Sequence, residues 1–421
     1  MKILFIIPGS GDSFYCSNCL RDTLYADTLR RAGHDVIVLP LYLPPQGMSV
    51  EVSPLFFSAV SFYVACTLNG KKALPKWLMK LLETKPILKI AASLSGTTSS
   101  KGLETMTLSM INGVGEAFEK EVESLIEWIE HHECPDVIHL STSMLIGIAK
   151  SIKQRLSIPI VCSLKDEEMW LDKMAAKYIP FAWKGIEENV KYVDKFVTVS
   201  QFYREYVQKR IPAITDVDVI YSGVHLEQYQ SDQYPINPTV GFFDRMCYEN
   251  GLDILAEAFV LLKQKNSIPD LKLKIAGGYT GEDTAFLKKV KRILASVDSD
   301  VEFISNYDAQ QHETFFKQIS VLSVPLRINE GIGLYVCQAY AAGRPVIMPK
   351  TGSFPEIVMN GGVLYEPNTP QQLAIAIEEL LNDKEKYSEC RKNALKLSKE
   401  RYDGKLQLHS LEELYRGFIR K

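Results

Sequence analysis

The sequence predicts an α/β protein with two domains, each containing a parallel sheet covered by helices on both faces. Three observations support this prediction. The chain has 421 residues, which is long for one hydrophobic core. Strand-like apolar runs alternate with amphipathic helical runs, the order that produces parallel sheets. The alternation starts again near Thr239, after a segment rich in Pro, Asp, Gln and Tyr that interrupts it.

The first domain is predicted to begin with a βαβ unit. Residues 2–8 form a strand, residues 18–32 an amphipathic helix and residues 35–41 the next strand. Gly33 is the expected C-terminal cap of this helix. A charged helix covers residues 116–132. The remaining predicted strands cover residues 136–140, 159–164 and 195–199.

The second domain repeats the pattern. Its predicted strands cover residues 239–243, 271–276, 301–304, 320–324 and 344–348. Its predicted helices cover residues 251–263, 284–296, 333–342, 370–383 and 385–401. We therefore place the first domain at residues 1–208, a hinge at residues 209–238 and the second domain at residues 239–402. The amphipathic tail, residues 403–421, is expected to pack back on the first domain.

Composition and charge narrow the class of protein. The 46% hydrophobic and 24% charged content is typical of a soluble enzyme. A net charge of -3 provides no global positive field for nucleic acid. The apolar run at residues 3–7 is too short for the core of a signal peptide. The eight cysteines are therefore expected to be reduced thiols in a cytoplasmic protein.

Two adjacent segments raise the question of membrane contact. Residues 52–70 contain no charge, but their Pro, Ser, Thr and Asn content favours a buried or interfacial segment over a transmembrane helix. Residues 71–89 carry six lysines against one glutamate, interleaved with Trp77 and several leucines. Such a basic amphipathic segment either binds the inner face of an anionic membrane or packs as a lid helix on the first domain.

The strongest functional signal is the segment 329–347. The carboxylate of Glu330 precedes a glycine-rich turn that opens a helix directly after an apolar strand. Backbone N–H groups at such a helix start can bind a diphosphate, and Gly331 and Gly333 let the backbone approach a ligand closely. Glu330 would then face sugar hydroxyls or positive charge developing on a sugar ring. The residues alone do not separate this interpretation from a structural turn in which Glu330 caps its own helix.

This segment resembles the E-x7-E signature of the family 4 retaining glycosyltransferases, in which Glu-Gly-Phe-Gly precedes a second Glu and Ala-Met-Ala-x-Gly-x-Pro-Val. Other segments follow the order of that family and extend the resemblance over nearly the whole chain. They are the opening loop 8–11, the turn 31–36, the segment 220–224, the Gly-Arg-x(4)-Lys-Gly-like region 240–253 and the turn 352–358.

The resemblance implies the GT-B architecture, two Rossmann-like domains facing across a cleft. It implies transfer of a sugar, with retention, from a nucleoside diphosphate-sugar to a carbohydrate or lipid-linked hydroxyl acceptor in polysaccharide or glycoconjugate biosynthesis. Glu330 is the implied catalytic residue. The implied donor-binding residues are Arg245, Asn250, Gly331, Gly333, Leu334 and Gln338. No metal and no cofactor is expected, because a helix dipole and basic side chains can hold the diphosphate.

The sequence departs from the family pattern at two donor positions. Gln338 replaces the second Glu, which resembles a clamp on the nucleotide ribose, and Asn250 replaces the Lys that neutralises the diphosphate. Arg245 remains as the cation that can fork two phosphate oxygens. The two changes support an alternative function, a weakened nucleotide-sugar-binding or scaffold subunit that serves an active partner. An epimerase of the same architecture would need a further acid/base pair.

Two groups of residues in the first domain are expected to face the cleft. Gly9, Ser10 and Gly11, with Asn18, belong to the loop that follows the first strand. On the acceptor side, Lys165, Asp166 and Glu167 follow another predicted strand. Lys165 could bind a phosphate and Glu167 a sugar hydroxyl. The alternative is that these are helix-start charges on a solvated turn.

Cys16 and Cys19 form a Cys-x-x-Cys pair at a predicted helix start, where a helix dipole lowers a thiol pKa. Redox chemistry or half of a zinc site is conceivable, but no second Cys/His pair has ligand spacing. The alternative is that two small residues pack in a turn.

Two Asp-x-Asp sequences, at residues 216–218 and 298–300, mimic a metal motif of the other glycosyltransferase fold. Neither has a convincing context for a metal. We therefore interpret them as surface turns.

Overall fold

The computed structural model of the chain describes residues 1–9, 14–41, 102–132, 134–230, 235–304 and 312–419. The predicted loop residues Ser10 and Gly11 and the segments 52–70 and 71–89 lie outside the described residues. No helix within the described ranges combines the length and the apolar content needed to cross a membrane.

The chain divides into two compact units. Unit 1 comprises Met1–Gly11, Asp22–Ile220 and Leu408–Lys421. Unit 2 comprises Asp12–Arg21 and Tyr221–Gln407. Each unit therefore contains segments that are distant in the sequence.

Unit 1 is built on a six-stranded sheet with the order β2-β1-β3-β4-β5-β6, and every neighbouring pair is parallel. Its strands are β1 (Lys2–Ile7), β2 (Asp35–Pro40), β3 (Val137–Leu140), β4 (Ile160–Leu164), β5 (Lys195–Thr198) and β6 (Val217–Val219). Alternate residues of β1 enter two different core clusters. The sheet is thus buried on both faces, as a parallel sheet requires.

The helices of unit 1 follow from the same alternation. They are α1 (Ser17–Arg31, whose first turn belongs to unit 2), α2 (Glu104–Asn112), α3 (Glu116–His132), α4 (Gly147–Arg155), α5 (Glu168–Leu171), α6 (Ile179–Asn189), α7 (Gln201–Arg210) and the last helix of the chain, α16 (Gly404–Ile419). Leu411 and Tyr415 of α16 join the core cluster that holds Ile3, Phe5 and Ile7.

Unit 2 has a second six-stranded parallel sheet, with the order β12-β11-β10-β7-β8-β9. Its strands are β7 (Thr239–Phe243), β8 (Lys272–Ala276), β9 (Val301–Phe303), β10 (Val321–Leu322), β11 (Val346–Pro349) and β12 (Gly362–Tyr365). The helices of unit 2 are α8 (Leu226–Tyr229), α9 (Leu252–Lys265), α10 (Thr284–Ile293), α11 (His312–Lys317), α12 (Leu334–Ala341), α13 (Phe354–Val358), α14 (Pro370–Asn382) and α15 (Lys384–Glu400).

The predicted fold class, α/β with two parallel sheets, is confirmed. Two strands were not predicted. β6 has three residues inside the segment predicted as a hinge, and β12 begins at a glycine. β6 lies in the segment whose composition predicted a hinge, and β12 follows the turn signal of Asn360 and Gly361, so neither was distinguished from its surroundings. β10 is shorter than predicted because only Val321 and Leu322 pair with neighbouring strands.

The strand order of unit 2 marks a position for a ligand. The chain order runs outward in one direction from β7 and in the other direction from β10, and these two strands are neighbours. In open parallel sheets, ligands bind outside the carboxyl ends of the strands at such a switch point. A ligand-binding site in unit 2 is therefore expected among the residues that follow β7 and β10.

Candidate active site

Glu330 lies in the segment between β10 and α12, and its carboxylate is bound to the start of that helix. Oε1 accepts hydrogen bonds from the backbone N–H of Ile332 at 2.8 Å and of Gly333 at 3.0 Å. Oε2 accepts one from the Tyr335 hydroxyl at 3.1 Å. Glu330 is only 9% exposed. The two N–H donors belong to the turn that leads into the helix, so these contacts fix one carboxylate oxygen beside the helix start without capping the N–H groups of the first helical turn.

The backbone around Glu330 is equally constrained. Ser353 N–H donates to the Glu330 carbonyl at 2.8 Å. Gly352 has φ +56°, and a Cβ there would lie 2.6 Å from the Glu330 nitrogen. The turn at residues 352–353 therefore supports the main chain of Glu330, and only glycine fits at Gly352.

The glycine turn leads directly into α12. Gly333 is the N-cap residue with φ +58°, and a Cβ there would lie 2.2 Å from Ile357 Cδ1. Leu334 is the first residue of the helix, and Gly331 and Leu334 are both buried. The structure thus brings Glu330, Gly331, Gly333 and Leu334 together at one helix start, the kind of position at which backbone N–H groups bind anions. The N–H groups of Ile332 and Gly333 are already bound by the Glu330 carboxylate.

Arg245 follows β7 and is held by an acidic partner. Its Nε donates to Asp283 Oδ2 at 2.9 Å, and its Nη2 donates to Asp283 Oδ1 and to Thr280 Oγ1, each at 3.0 Å. The guanidinium also lies over the Phe14 ring, 5.2 Å from its centroid. A diphosphate at Arg245 must therefore compete with a bidentate carboxylate.

The Asn250 side chain is bonded to the backbone of the loop that follows β7 and carries Arg245. Its Nδ2 donates to the Arg245 carbonyl at 3.0 Å, and the residue is buried. The next residue, Gly251, has φ +71°, and a Cβ there would lie 1.9 Å from the Pro325 carbonyl oxygen. Asn250 thus holds the Arg245 backbone where the family pattern has a lysine.

Gln338 lies in the middle of α12 and is fully buried. Its Oε1 accepts a hydrogen bond from the Tyr15 hydroxyl at 2.9 Å, and its Nε2 donates to the Tyr229 hydroxyl at 2.8 Å. Tyr15 is anchored in turn, because its N–H donates to the Gly277 carbonyl at 2.6 Å. The amide that replaces the family glutamate therefore links two buried tyrosines.

Asp244, which sequence reasoning missed, lies between β7 and Arg245. Its Oδ1 accepts the Arg245 N–H at 2.6 Å, and the residue is 8% exposed. Burial, followed by the nearby charge of Glu330, raises the pKa of its carboxyl well above the ordinary value. The sequence does distinguish this position, because the family pattern Gly-Arg-x(4)-Lys has glycine where this chain has Asp244.

The predicted acceptor-side residues of unit 1 also have defined partners. Lys165 Nζ forms a buried ion pair with Asp22 Oδ2 at 2.6 Å. Asp166 has φ +51°, which turns the chain directly after β4. The Glu167 carboxylate accepts hydrogen bonds from Thr142 Oγ1, Ser143 N–H and Lys165 N–H, and it shares the single proton of the Tyr203 hydroxyl with Glu168. The solvated-turn alternative is therefore wrong for Lys165 and Glu167, which are buried.

The other two N-terminal loop residues within the described ranges fall in different units. Gly9, with φ +86°, belongs to unit 1, and Asn18 in the first turn of α1 belongs to unit 2.

Three of the four Asp-x-Asp acids form ion pairs with lysines. Asp216 and Asp218 both pair with Lys195, and Asp300 pairs with Lys263 and Lys272.

Glu168, the residue after Glu167, is a titratable side chain that also contacts the Tyr203 hydroxyl. Burial raises the pKa of Glu168 to about 7, although a hydrogen bond from the Tyr203 hydroxyl at 2.7 Å acts in the opposite direction. At Glu168 the folded protein therefore binds more protons than the unfolded chain between about pH 4.5 and pH 7. The contribution of Glu168 to stability falls as pH rises through this window.

We expect Glu168→Gln to remove this part of the pH dependence, since glutamine keeps an acceptor for Tyr203 and carries no charge. Between pH 5 and pH 8 the wild type should lose about 1–2 kcal/mol more unfolding free energy than the variant. Urea unfolding at both pH values measures the difference. Glu187→Gln, at an exposed position of α6, is the control. Equal pH dependence of wild type and Glu168→Gln would contradict the assignment.

Comparisons with known proteins identify the class to which this chain belongs. The family model described as "Glycosyl transferases group 1" matches residues 228–397, and the one described as "Glycosyltransferase Family 4" matches residues 120–228. Over their full lengths, sucrose-phosphate synthase from Thermosynechococcus elongatus superposes with a TM-score of 0.71 at 16% identity, covering 100% of both chains. Anabaena HepE in complex with UDP and glucose superposes with a TM-score of 0.66 at 17% identity, covering 98% of this chain and 99% of that one. The chain belongs to the family 4-like GT-B glycosyltransferases.

Curated relatives agree with this assignment. An uncharacterized glycosyltransferase of Methanocaldococcus jannaschii is 28% identical over 63% of this chain and 70% of its own length. A lipopolysaccharide 1,2-N-acetylglucosaminetransferase of Salmonella typhimurium is 24% identical over 46% of this chain, and a D-inositol 3-phosphate glycosyltransferase of Corynebacterium kroppenstedtii is 23% identical over 49%. The match spans about half the length of these last two relatives, 54% and 49%.

Proposed function

We propose that this chain transfers a sugar, with retention and without a metal ion, from a nucleoside diphosphate-sugar to a hydroxyl acceptor. One observation carries the proposal. A cation, Arg245, and a carboxylate, Glu330, follow the two strands that meet at the switch point of unit 2, and the start of α12 adjoins the carboxylate. Both charges act on the Asp244 carboxyl, so each of them lies within electrostatic range of that group.

Each group has a role in this reaction. The first backbone N–H groups of α12 and the guanidinium of Arg245 stabilise negative charge as the diphosphate departs. The carboxylate of Glu330 holds the donor sugar and stabilises positive charge on its ring in the transition state.

The acceptor is a hydroxyl of a carbohydrate or of a lipid-linked carbohydrate. The names of two relatives, a lipopolysaccharide N-acetylglucosaminetransferase and an inositol phosphate glycosyltransferase, support a polyhydroxylated acceptor. The loop after β4 is our candidate for the acceptor side. Asp166 is half-buried there, while Lys165 and Glu167 are buried and shape the loop through their contacts within unit 1. We place the reaction in the cytoplasm or at the inner face of the membrane.

We expect Arg245→Ala to weaken nucleotide binding by about 10- to 100-fold, since it removes charged hydrogen bonds to phosphate. The opposite change, Asp283→Asn, should tighten binding, because it releases the guanidinium from a competing carboxylate. Thermal shifts of each variant with UDP-, GDP-, ADP- and TDP-sugars measure the effect as the increase in Tm over the same variant without ligand.

Arg292→Ala is the matched control, because it removes an exposed arginine from α10 of the same unit. Its nucleotide response should equal that of the wild type. If Arg245→Ala responded equally well, the donor site would not lie at the end of β7. The unliganded Tm of Arg245→Ala is expected to fall, since the substitution leaves the buried Asp283 carboxylate without its bidentate partner.

A second candidate function is a subunit that binds the nucleotide-sugar without turnover. The contacts of Gln338 with Tyr15 and Tyr229, and of Arg245 with Asp283, favour it because side chains expected on the donor are engaged within the protein. Release of nucleoside diphosphate from the sugar donor separates the two candidates. A donor that stabilises the protein but is neither hydrolysed nor transferred, across a panel of acceptors, would favour the binding subunit.

A further inference from the structure

Cys16 and Cys19 are in direct contact at the start of α1. Their sulfur atoms lie 2.7 Å apart, and both residues are half-buried thiols. Cys16 immediately precedes the helix, and the N–H of Cys19 donates to Cys16 Sγ at 3.4 Å. Cys16 Sγ therefore takes the place of the oxygen that usually caps a helix N-terminus.

This position favours attack by the Cys16 sulfur. The N–H bond to sulfur and the positive end of α1 both stabilise a thiolate, which is the form that attacks a disulfide. Cys19 is three residues away with its sulfur already in contact, so a mixed disulfide on either residue has a resolving thiol beside it. The geometry needs little rearrangement to reach the separation of a disulfide.

The other thiols within the described residues lack these features. Burial raises the pKa values of Cys247 and Cys337 to about 12 each. Burial also raises the pKa of Cys390, and Cys162 is fully buried. Cys134 is exposed, and no other cysteine lies three residues before or after it in the sequence. Fast intramolecular oxidation is thus expected at Cys16 and Cys19 alone among the described thiols.

We propose that Cys16 and Cys19 form a redox-active dithiol that closes to an intramolecular disulfide by exchange with a small-molecule disulfide. The Cys16 thiolate attacks one sulfur of that molecule, breaks its S–S bond and releases a thiolate, which takes up the proton that Cys16 lost. Cys19 then loses its proton and attacks the Cys16 sulfur of the mixed disulfide, releasing the second thiol. Two protein thiols are oxidised, and one small disulfide is reduced to two thiols.

The two cysteines lie next to residues that contact the candidate donor site of unit 2. Cys16 follows Tyr15, whose hydroxyl binds Gln338 and whose N–H binds the Gly277 carbonyl. The charge of Cys16 also acts on the Asp244 carboxyl and raises its pKa. In the disulfide, Cys16 can no longer ionise to a thiolate. The disulfide also restricts the backbone next to Tyr15.

Disulfide formation can be tested by measuring the mass of the tryptic peptide that contains both cysteines. Trypsin releases residues 3–21, which contain Cys16 and Cys19 and no other cysteine. The folded protein is treated with oxidised glutathione at pH 7.5, alkylated with iodoacetamide and digested. We expect this peptide to be two hydrogens lighter than the reduced form and to carry no alkyl group, and dithiothreitol should reverse the change.

Three controls make the result specific. Cys16→Ser and Cys19→Ser should each end as a stable glutathione adduct on the remaining cysteine, because the resolving thiol is absent. Cys134→Ser should behave as the wild type. If residues 3–21 of the wild type retained two alkylatable thiols, or accumulated a stable glutathione adduct, while Cys134 had reacted, the proposal would be wrong. The readout is independent of nucleotide binding and of sugar transfer.

Discussion

Glu330→Gln is expected to lower the rate of sugar transfer by about 100-fold or more while leaving the fold intact. Glutamine keeps an oxygen that can accept from Ile332 N–H and Gly333 N–H, so the start of α12 should retain its contacts. The negative charge that stabilises a positively charged sugar ring is lost. Initial rates of transfer, measured with the donor that gives the largest thermal shift, test this expectation.

Two comparisons separate a catalytic effect from a structural one. Glu257→Gln removes an exposed carboxylate from α9 of the same unit and should leave the rate unchanged. The Tm of Glu330→Gln should stay near that of the wild type, and the donor should still raise it. A variant that retains most of the activity would limit the role of Glu330 to holding the turn before α12.

Breaking the buried pair of Lys165 and Asp22 is expected to have the largest effect on stability. Their side chains are 5% and 6% exposed, and the Nζ–Oδ2 distance is 2.6 Å. Lys165→Met leaves the Asp22 carboxylate buried without this partner, a change that costs about 3–5 kcal/mol. Asp22→Asn should cost a similar amount. The double variant should recover much of the loss, since two neutral groups then face each other.

A double-mutant cycle under urea measures this coupling from four proteins. The transition of unit 1 should be followed separately, because a chain with two compact units need not unfold in one step. Additive losses, in which the double variant is as unstable as the sum of the two single ones, would show that the pair contributes little and that each side chain acts through other contacts.

The sequence predicted elements well where the periodicity is local and long. The helix at residues 116–132 and the strand at residues 239–243 have the predicted bounds, because amphipathic and apolar runs of that length stand out from their surroundings. β6 and β12 were missed because β6 lies in a segment rich in turn-forming and polar residues and β12 starts at the glycine of an Asn-Gly-Gly sequence, which indicates a turn. Their pairing depends on strands already in place.

The site shows the same division between local and distant contacts. Glu330, Gly331, Gly333 and Leu334 are contiguous, so one motif located them together. The partners of Arg245 and Gln338 could not be read from the sequence, because Asp283 is 38 residues from Arg245 and Tyr15 is 323 residues from Gln338. The substitution of the family lysine by Asn250 gave no indication that its amide would hold the Arg245 carbonyl.

The position of α16 in the chain has a consequence for how the protein is made. Leu411 and Tyr415 are fully buried in the core of unit 1, and the Tyr415 hydroxyl lies 2.6 Å from His139 Nδ1. All residues of unit 2 precede them in the sequence. On the ribosome, unit 2 can therefore fold as soon as Gln407 has emerged, while the nascent unit 1 waits with an incomplete core. Premature termination shortly before Leu411 should yield a polypeptide whose later-synthesised unit is folded and whose earlier-synthesised unit exposes apolar surface to chaperones and proteases.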